Sequence, residues 1–447
     1  MSYPRGPVQI TDPVRFNDPL PDAVDVVVIG GGITGISTAL FLVDAGLSVV
    51  VCEKGRVAGE QSSRNWGWVR QQGRDPAELP IMIESLRIWR ALGDEVGDAI
   101  GFRQTGVTYL AADEATLARY EDWLQYARAY GLDTRMVSKA ELDVTLPNRA
   151  GWIGALQTPS DCRAEPSSAL PAIARFAHEI GVRIIENCAV RTVEQTDGAV
   201  SGVHTEKGFI RTALVLLAGG AWSSLFLRNL GLRIPQLSVR ATVAATMAMG
   251  DFWEGAAADD HFAFRRREDG GYTLAPGSRH DFWIGPDAFR HFRAYLPQLR
   301  RDFASTRFMA FAPGGYPDAW TTRRRWRADE VSPFEKTRVL DPRPSQRLLR
   351  KIQSDFNRAF PAHETVLNRA WAGMIDTLPD AVPIIDQTPV PGLFLATGLS
   401  GHGFGIGPGV GRVMADLMQG KPTGHDLSRF RYGRFTDGSP LVLGPLL

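Results

Sequence analysis

The first strongly patterned stretch of the chain consists of an apolar run, a glycine cluster and a helical repeat. Residues 25–29 form a short β-branched run, and glycines at 30–32 interrupt it. Apolar residues between 33 and 45 then recur at the spacing of one helix face, and Gly46 stands where a helix is expected to end. A second apolar run at 48–52 is typical of a buried parallel strand. The pattern predicts a strand, a helix and a second strand in succession.

The same character continues to about residue 236. Ser138 and Glu141 have the spacing of a capping box, which predicts a short helix. Further elements are predicted as helices at 81–92, 115–129 and 166–180, and as strands at 107–110, 182–185 and 209–217. This alternation of helices and strands is typical of an α/β protein with a buried sheet.

The remainder of the chain has two different patterns. Alternating strands are predicted at 241–248, 262–266 and 271–274, and arginine-rich helices follow them. Beyond these lie a strand at 393–396, a glycine-rich loop at 398–411 and a last helix at 413–418. The chain is therefore expected to leave a first domain for a second one and then to return.

The predicted fold class is α/β, with a Rossmann-like nucleotide-binding domain and a second, α+β domain built on an antiparallel sheet. A chain of 447 residues exceeds the usual size of one hydrophobic core, so two domains that share a cleft are expected. A proline-rich extended arm is predicted at 1–23. The nucleotide domain is predicted at 24–100, 150–236 and 370–447, and the second domain at 101–149 and 237–369.

The composition argues against a nucleic-acid-binding, metal-binding, disulfide-stabilised or membrane-spanning protein. Lys and Arg (50) nearly balance Asp and Glu (49), which argues against nucleic acid as the main partner. Three cysteines without a CxxC spacing indicate neither a metal site nor a disulfide framework and favour the cytoplasm. No run of about 18 apolar residues occurs, so no membrane span is predicted, and peripheral attachment at the inner membrane stays open. Arginine runs at 265–267 and 323–327 predict a solvated or subunit-contact face, which leaves a homo-oligomer open.

The glycine cluster carries the clearest chemical signal. It satisfies GxGxxG directly after a strand and at the start of a helix. Gly30 permits the tight turn, Gly32 lets the backbone approach a pyrophosphate, and Gly35 lets helix and strand pack closely. Glu53 ends the second strand, where an acid accepts hydrogen bonds from ribose hydroxyls. The sequence therefore predicts one dinucleotide site, which by itself fits FAD or NAD.

Four further segments, at 59–65, 161–166, 217–223 and 398–404, resemble the D-amino acid oxidase superfamily and occur in the family's order. Those at 217–223 and 398–404 are similar to the sarcosine-oxidase-like branch. The resemblance implies that the cofactor is FAD and that the loop beginning at Gly398 lies against the pyrimidine end of the flavin.

The fingerprint and the resemblance together predict the residues that hold FAD. They are Gly30, Gly32, Ile33, Thr34, Gly35, Glu53, Lys54, Ser62, Ser63, Arg64, Asn65, Val190, Ala218, Gly219, Trp222, Gly373, Gly398, Gly401, His402, Gly403, Phe404 and Gly405. Some relatives attach the flavin covalently through a cysteine or a histidine, and this sequence has Gly373 and Ser63 near those positions. Noncovalent FAD is therefore expected.

The resemblance implies a reaction as well. A small amine or amino acid would pass a hydride to the flavin, and water would hydrolyse the resulting imine. Two alternatives stay open. One is an FAD-dependent 2-hydroxyacid dehydrogenase on the same fold, and the other is a flavoprotein subunit or assembly factor without turnover of its own.

Candidate substrate residues are defined by departures from the family pattern. The carboxylate-binding arginine of glycine and D-amino acid oxidases is replaced by Ile375, whereas Arg70 falls near the arginine of sarcosine oxidases. Arg70 is either a carboxylate clamp or an arginine that is ion-paired or contacts the cofactor. His402 is either a general base or a residue that only holds cofactor. Asp376 is a candidate to hold a second amine, or a surface turn acid.

The electron acceptor is suggested by one further departure. Sarcosine oxidases activate dioxygen with a lysine, and the similar segment here has Thr273 at that position. Without a nearby cation, superoxide loses electrostatic stabilisation. The sequence therefore favours a quinone or another protein as acceptor.

Overall fold

The computed structural model describes residues 6–146 and 151–445, and its centre is a six-stranded sheet. In spatial order its strands are Ile384–Gln387, Leu393–Thr397, Leu214–Leu217, Val26–Ile29, Val49–Cys52 and Arg183–Ile185. All neighbouring pairs are parallel except the edge pair formed by Ile384–Gln387 and Leu393–Thr397. The strands come from three separate parts of the chain, as the sequence predicts.

Both faces of this sheet are covered. Four helices pack on one face, namely Ile33–Asp44, Leu79–Val96, Pro166–Glu179 and Gly403–Met418. The opposite face packs against a three-stranded antiparallel sheet formed by Val190–Thr196, Ala199–Thr205 and Gly208–Arg211. Coverage on both faces explains why the parallel strands are continuous apolar runs.

A second, ten-stranded sheet forms the other half of the molecule. Its path is Thr306–Met309, His280–Trp283, Leu237–Thr246, Tyr272–Ala275, Ala263–Arg266, Ala256–Ala258, Val107–Ala111, Gly154–Thr158 and Arg135–Ser138, with Leu367–Thr377 paired to Leu237–Thr246. Most pairs are antiparallel, as expected, and two are parallel. Two strands of this sheet lie in segments that the sequence predicts for the nucleotide domain. They are Gly154–Thr158 and most of Leu367–Thr377.

The other elements surround these sheets. A small sheet joins Trp68–Val69, Cys162–Arg163 and Arg103–Gln104. The remaining α-helices are Gln61–Arg64, Glu114–Ala129, Lys139–Thr145, Ser223–Asn229, Pro286–Arg290, Phe292–Arg301, Pro333–Lys336 and Gln346–Ala359. The predicted capping box is confirmed, since Ser138 and Glu141 exchange both hydrogen bonds.

The glycine-rich segment near the C-terminus is a helix rather than a loop. The prediction of a loop at 398–411 and a helix only at 413–418 is wrong in its boundary, because the helix runs from Gly403 to Met418. Its glycines allow close approach: an added Cβ at Gly407 would lie 2.7 Å from Ile33, and one at Gly411 would lie 2.6 Å from Ser37. Glycine serves here as a packing residue.

Side chains of helix Leu79–Val96 support the backbone around Pro408. The hydroxyl of Ser85 donates to the carbonyl of Gly405 (2.7 Å) and accepts from the amide of Gly409 (3.0 Å). The indole of Trp89 also donates to the Gly405 carbonyl, at 2.9 Å. A proline is tolerated in the helix interior because these side chains satisfy backbone groups around it.

A second correction concerns the predicted strand at 209–217. The structure has two strands, Gly208–Arg211 and Leu214–Leu217, in different sheets. The Thr212 hydroxyl lies between them and donates to the carbonyls of Asp25 (2.9 Å) and Leu214 (3.1 Å). The turn was not predicted because the residues on both sides of it are apolar and have the pattern of one continuous strand.

The arginine runs are mostly paired within the chain. Arg265 is only 1% exposed and Trp326 is 6% exposed. The predicted solvated face is therefore wrong for these two residues. Arg323 pairs with Glu330 and Arg327 pairs with Asp329. Within residues 6–146 and 151–445, no helix is long and apolar enough to cross a membrane, and no His, Cys, Asp and Glu group is arranged for a metal.

Candidate active site

Two connected cavities form one cleft that begins at the six-stranded sheet and extends to the ten-stranded sheet. The smaller, of about 120 Å³, is lined by Gly30, Glu53 and Trp222. The larger, of about 790 Å³, extends between the two sheets. Gly32 and Ser62 line both cavities, so the cleft turns at the glycine cluster.

The glycines of the fingerprint have the roles that their spacing predicts. An added Cβ at Gly30 would lie 2.5 Å from the carbonyl oxygen of Ala218, and one at Gly35 would lie 2.1 Å from the carbonyl oxygen of Gly30. At Gly32 the nearest atom would be the Ser62 hydroxyl, at 3.4 Å. Gly30 and Gly35 are therefore required for packing, whereas Gly32 borders open space.

The start of helix Ile33–Asp44 faces the large cavity. The amide of Ile33 donates to the Ser62 hydroxyl at 3.0 Å. The Thr34 hydroxyl is buried without a hydrogen-bond partner among the described residues. A helix N-terminus with an unpartnered hydroxyl and open space beside a glycine is suited to an anionic group.

Glu53 lies at the other end of the cleft. Its two carboxylate oxygens accept hydrogen bonds from the amides of Gly31 and Gly55, each at 2.7 Å. Burial raises the pKa of Glu53 to about 7. Each carboxylate oxygen can still accept a further hydrogen bond, as the predicted ribose contact requires.

Lys54 and Trp222 meet at a second acid. The Lys54 ammonium pairs with Glu60 at 2.6 Å and lies 4.5 Å from the centre of the Trp222 ring. The Trp222 indole also donates to Glu60, at 3.0 Å. This triad closes the wall of the small cavity.

Most of the predicted cofactor residues line the cleft. They are Gly30, Gly32, Ile33, Thr34, Glu53, Lys54, Ser62, Arg64, Asn65, Val190, Ala218, Gly219, Trp222, Gly373, Gly401, His402, Gly403 and Phe404. The other four, Gly35, Ser63, Gly398 and Gly405, contact protein groups instead. The Ser63 hydroxyl, for example, accepts from the amide of Val8 at 3.1 Å.

Asp376 anchors the loop that begins at Gly398. It is 6% exposed, and its carboxylate accepts from the amide of Gly398 at 2.7 Å and from the side chain of Gln236 at 3.3 Å. Burial raises the pKa of Asp376. The hypothesis of a surface turn acid is therefore wrong, and the hydrogen bond to Gly398 uses one carboxylate oxygen of the candidate amine-binding group.

Arg70 and His402 both lie on the wall of the large cavity. Arg70 is half-buried, donates to the carbonyl of Gln72, and stacks its guanidinium 5.6 Å from the centre of the Tyr109 ring. His402 directly precedes helix Gly403–Met418. Both residues were predicted from the sequence although 332 positions separate them, because each falls in a family motif.

Two buried charges beside this pair were missed. Arg74 and Glu78 are each 1% exposed, and their closest side-chain atoms are 3.6 Å apart. The Arg74 guanidinium donates to the carbonyl of His402 at 3.0 Å. The i,i+4 spacing of an arginine and a glutamate is too common on exposed helices to indicate a buried pair.

A buried ion pair lies next to the position of the missing lysine. Arg265 is paired in strand register with Thr273, and its guanidinium lies 3.5 Å from the Thr273 hydroxyl. Both terminal nitrogens of Arg265 also contact Glu165, at 2.8 and 3.3 Å. The positive charge near Thr273 is therefore balanced by a carboxylate.

The DAO family, described as FAD dependent oxidoreductase, matches residues 25–417. The chain belongs to this family. The prediction of membership is confirmed, and with it FAD as the cofactor of the family.

Two curated relatives and one solved structure extend this comparison. Human mitochondrial sarcosine dehydrogenase is 26% identical over 93% of this chain and 42% of its own length. Sarcosine oxidase subunit beta from Rhizobium meliloti is 25% identical over 95% of this chain and 91% of its own. The chain thus spans less than half the length of the sarcosine dehydrogenase.

Among solved structures, an L-amino acid deaminase from Proteus myxofaciens in complex with anthranilate superimposes with a TM-score of 0.88. The two sequences are 30% identical, and the superposition covers 98% of each chain. The likeness confirms the predicted fold class.

Proposed function

We propose that this chain uses FAD to oxidise the carbon–nitrogen bond of a small amino acid or amine. The observation that carries the proposal is the position of Arg70, whose half-buried guanidinium lies on the same cavity that reaches Gly32 and the start of helix Ile33–Asp44. A guanidinium fork suits a carboxylate. The names of the relatives, sarcosine and L-amino acid enzymes, support the same substrate class.

The cleft has the features that bound FAD requires. The open backbone at Gly32 and the buried hydroxyl of Thr34 suit the pyrophosphate, and Glu53 suits the ribose. The loop before helix Gly403–Met418 suits the flavin end, where the helix N-terminus favours negative charge. Noncovalent binding is supported by Gly373 and Ser63, which offer neither a thiol nor an imidazole at the positions where some family members attach the flavin.

The residues of this chain would bind and orient the substrate. FAD, when bound, accepts the hydride from the carbon that carries nitrogen. Arg70 holds the substrate carboxylate, and the rings of Trp66 and Trp68, with centres 5.5 Å apart, form an apolar wall that excludes water. The imine product then reacts with water to give a carbonyl compound and ammonia or an amine.

Anaerobic bleaching of the flavin tests this function. We expect the yellow protein to lose its flavin absorbance with one or more members of a panel of D- and L-amino acids and N-methylated amines. Bleaching by 2-hydroxyacids alone would instead indicate a hydroxyacid dehydrogenase. Absence of bleaching by every compound would indicate a flavoprotein subunit and would contradict the proposal.

We further propose that the electron acceptor is a quinone or another protein rather than dioxygen. The support is Thr273 at the position of the oxidase lysine together with the pairing of Arg265 with Glu165, which leaves no uncompensated cation at that position to stabilise superoxide. A cytoplasmic location, which three buried free cysteines favour, is part of the same proposal.

Stopped-flow reoxidation checks the acceptor. We expect the substrate-reduced protein to be reoxidised by a soluble quinone at the rate of turnover and by air-saturated buffer at least about tenfold more slowly, as expected when electrostatic stabilisation is lost. Reoxidation by air as fast as turnover, with stoichiometric hydrogen peroxide, would identify an oxidase instead.

A further inference from the structure

Four unpartnered polar atoms are buried together beside the large cavity. They are Nη1 of Arg74, both carboxylate oxygens of Glu78 and Nδ1 of His402, and none of them has a hydrogen-bond partner among the described residues. One oxygen of Glu78 lies 3.6 Å from Arg74 Nη1 and 3.8 Å from His402 Nδ1. Buried polar groups without partners are rare in proteins, so a cluster of four indicates a functional constraint.

The cluster has a definite geometry. The other guanidinium nitrogens of Arg74 donate to the carbonyls of His402 (3.0 Å) and Arg70 (3.2 Å), which fixes the backbone of both residues. Glu78 faces the imidazole of His402 instead. That ring lines the cavity with 28% of its side chain exposed, so Nδ1 is directed to Glu78 and the opposite edge of the ring to the cavity.

The surrounding charges determine which member of the pair carries a proton. Burial raises the pKa of Glu78 to about 7, an effect that Arg74 and Arg70 oppose and Asp75 reinforces. Burial, Arg74 and Arg70 hold the pKa of His402 well below its usual range. As pH falls, Glu78 is therefore protonated before His402, and the imidazole stays neutral.

We propose that Glu78 is a positioning residue that sets the tautomer of His402 and thereby decides whether Nε2 accepts or donates a hydrogen bond in the cavity. Ionised Glu78 accepts the proton on Nδ1, which leaves a lone pair on Nε2. Protonated Glu78 donates to Nδ1, which places the hydrogen on Nε2. A shift of about 1 Å brings the 3.8 Å contact to hydrogen-bond distance.

The consequence for binding rests on the proposed function. The N–H groups of a substrate amine can donate to an Nε2 lone pair and cannot donate to an Nε2–H group. Affinity for such a ligand should therefore rise as pH increases through the pKa of Glu78. One proton leaves the pair in this change, while the imidazole stays neutral and only its tautomer differs.

Nitrogen NMR of the FAD-bound protein labelled with ¹⁵N-histidine tests the proposal without substrate. The His402 resonance is assigned by its loss in His402→Asn. We expect the proton of His402 to move from Nε2 to Nδ1 between about pH 6 and pH 8, across the pKa of Glu78. In Glu78→Gln, which cannot titrate, the tautomer should not change with pH.

Helix Leu79–Val96 offers a matched control. Glu84 contacts His425 at 2.5 Å in a second Glu–His pair outside the cavity. Glu84→Gln should leave the His402 tautomer change intact. If Glu78→Gln does not fold, Glu78→Asp retains a carboxyl group and should shift the midpoint of the change.

A binding measurement supplies the functional readout. Anthranilate, which carries an amine and a carboxylate, is titrated into the protein and followed by flavin absorbance. We expect its affinity to rise about fivefold from pH 6 to pH 8 in the wild type, as one gained hydrogen bond predicts, and to stay flat in Glu78→Gln. An unchanging tautomer in the wild type, or a pH-dependent tautomer in Glu78→Gln, overturns the proposal. Neither NMR result depends on amine oxidation. The bleaching experiment tests the proposed function separately, so the two proposals can fail independently.

Discussion

Replacing Gly32 by valine is expected to yield a folded protein that does not bind FAD. The backbone of Gly32 is extended, with φ −80° and ψ 176°, which a β-branched residue adopts readily. The added side chain would project into the turn of the cleft, where only the Ser62 hydroxyl lies within 4 Å. Because the backbone must approach the pyrophosphate there, we expect FAD affinity to fall at least about 100-fold.

The measurement is FAD released by acid from purified protein, alongside the thermal midpoint of apoprotein. Gly35→Val provides the contrast, because its Cβ would lie 2.1 Å from the Gly30 carbonyl oxygen and should destabilise the fold itself. A Gly32→Val protein that keeps full FAD content would show that the dinucleotide lies elsewhere.

Arg70→Met is expected to lower kcat/KM for amino acids by about 100-fold. The estimate corresponds to the loss of about 3 kcal/mol from charge-assisted hydrogen bonds to a carboxylate. Amines without a carboxylate should be affected far less. Methionine keeps the apolar stem beside Tyr109 while it removes the charge.

The control for this substitution is Arg90→Met on helix Leu79–Val96, since Arg90 is exposed and, within residues 6–146 and 151–445, donates a side-chain hydrogen bond to Gln104 alone, at 3.2 Å. Steady-state kinetics and FAD content are measured for both variants. Equal losses for amino acids and simple amines, or loss of FAD in Arg70→Met, would assign Arg70 to the cofactor instead of the carboxylate.

The sequence predicted correctly those parts of the fold that depend on residues close together in the chain. The contact between Gly35 and Gly30 and the capping box at Ser138 depend on neighbouring residues, so their spacing predicted the observed geometry. The glycine-rich first part of helix Gly403–Met418 was predicted as a loop, because glycine indicates a loop when its packing partners are unknown. Its partners, such as Ile81 and Ser85, lie more than 300 positions earlier in the chain.

The same limit applies to the candidate site. Arg70 and His402 were found because each belongs to a motif with a family counterpart. Glu78 and Arg74 carried no such signal, and their burial arises only when the loop at His402 folds over them. Asp376 was ambiguous for a related reason, since its partner Gly398 is a backbone amide that no side-chain pattern reveals.

The support that Ser85 and Trp89 give to the glycine-rich helix has a consequence for biosynthesis. Five glycines and Pro408 make its first half a poor helix former by several kcal/mol, so it cannot form before it packs against helix Leu79–Val96. Because those residues follow helix Leu79–Val96 by more than 300 positions, the proposed flavin end of the cleft stays open until they have been synthesised and packed. We therefore expect incorporation of FAD to be coupled to the packing of this helix, a late step in folding of the domain.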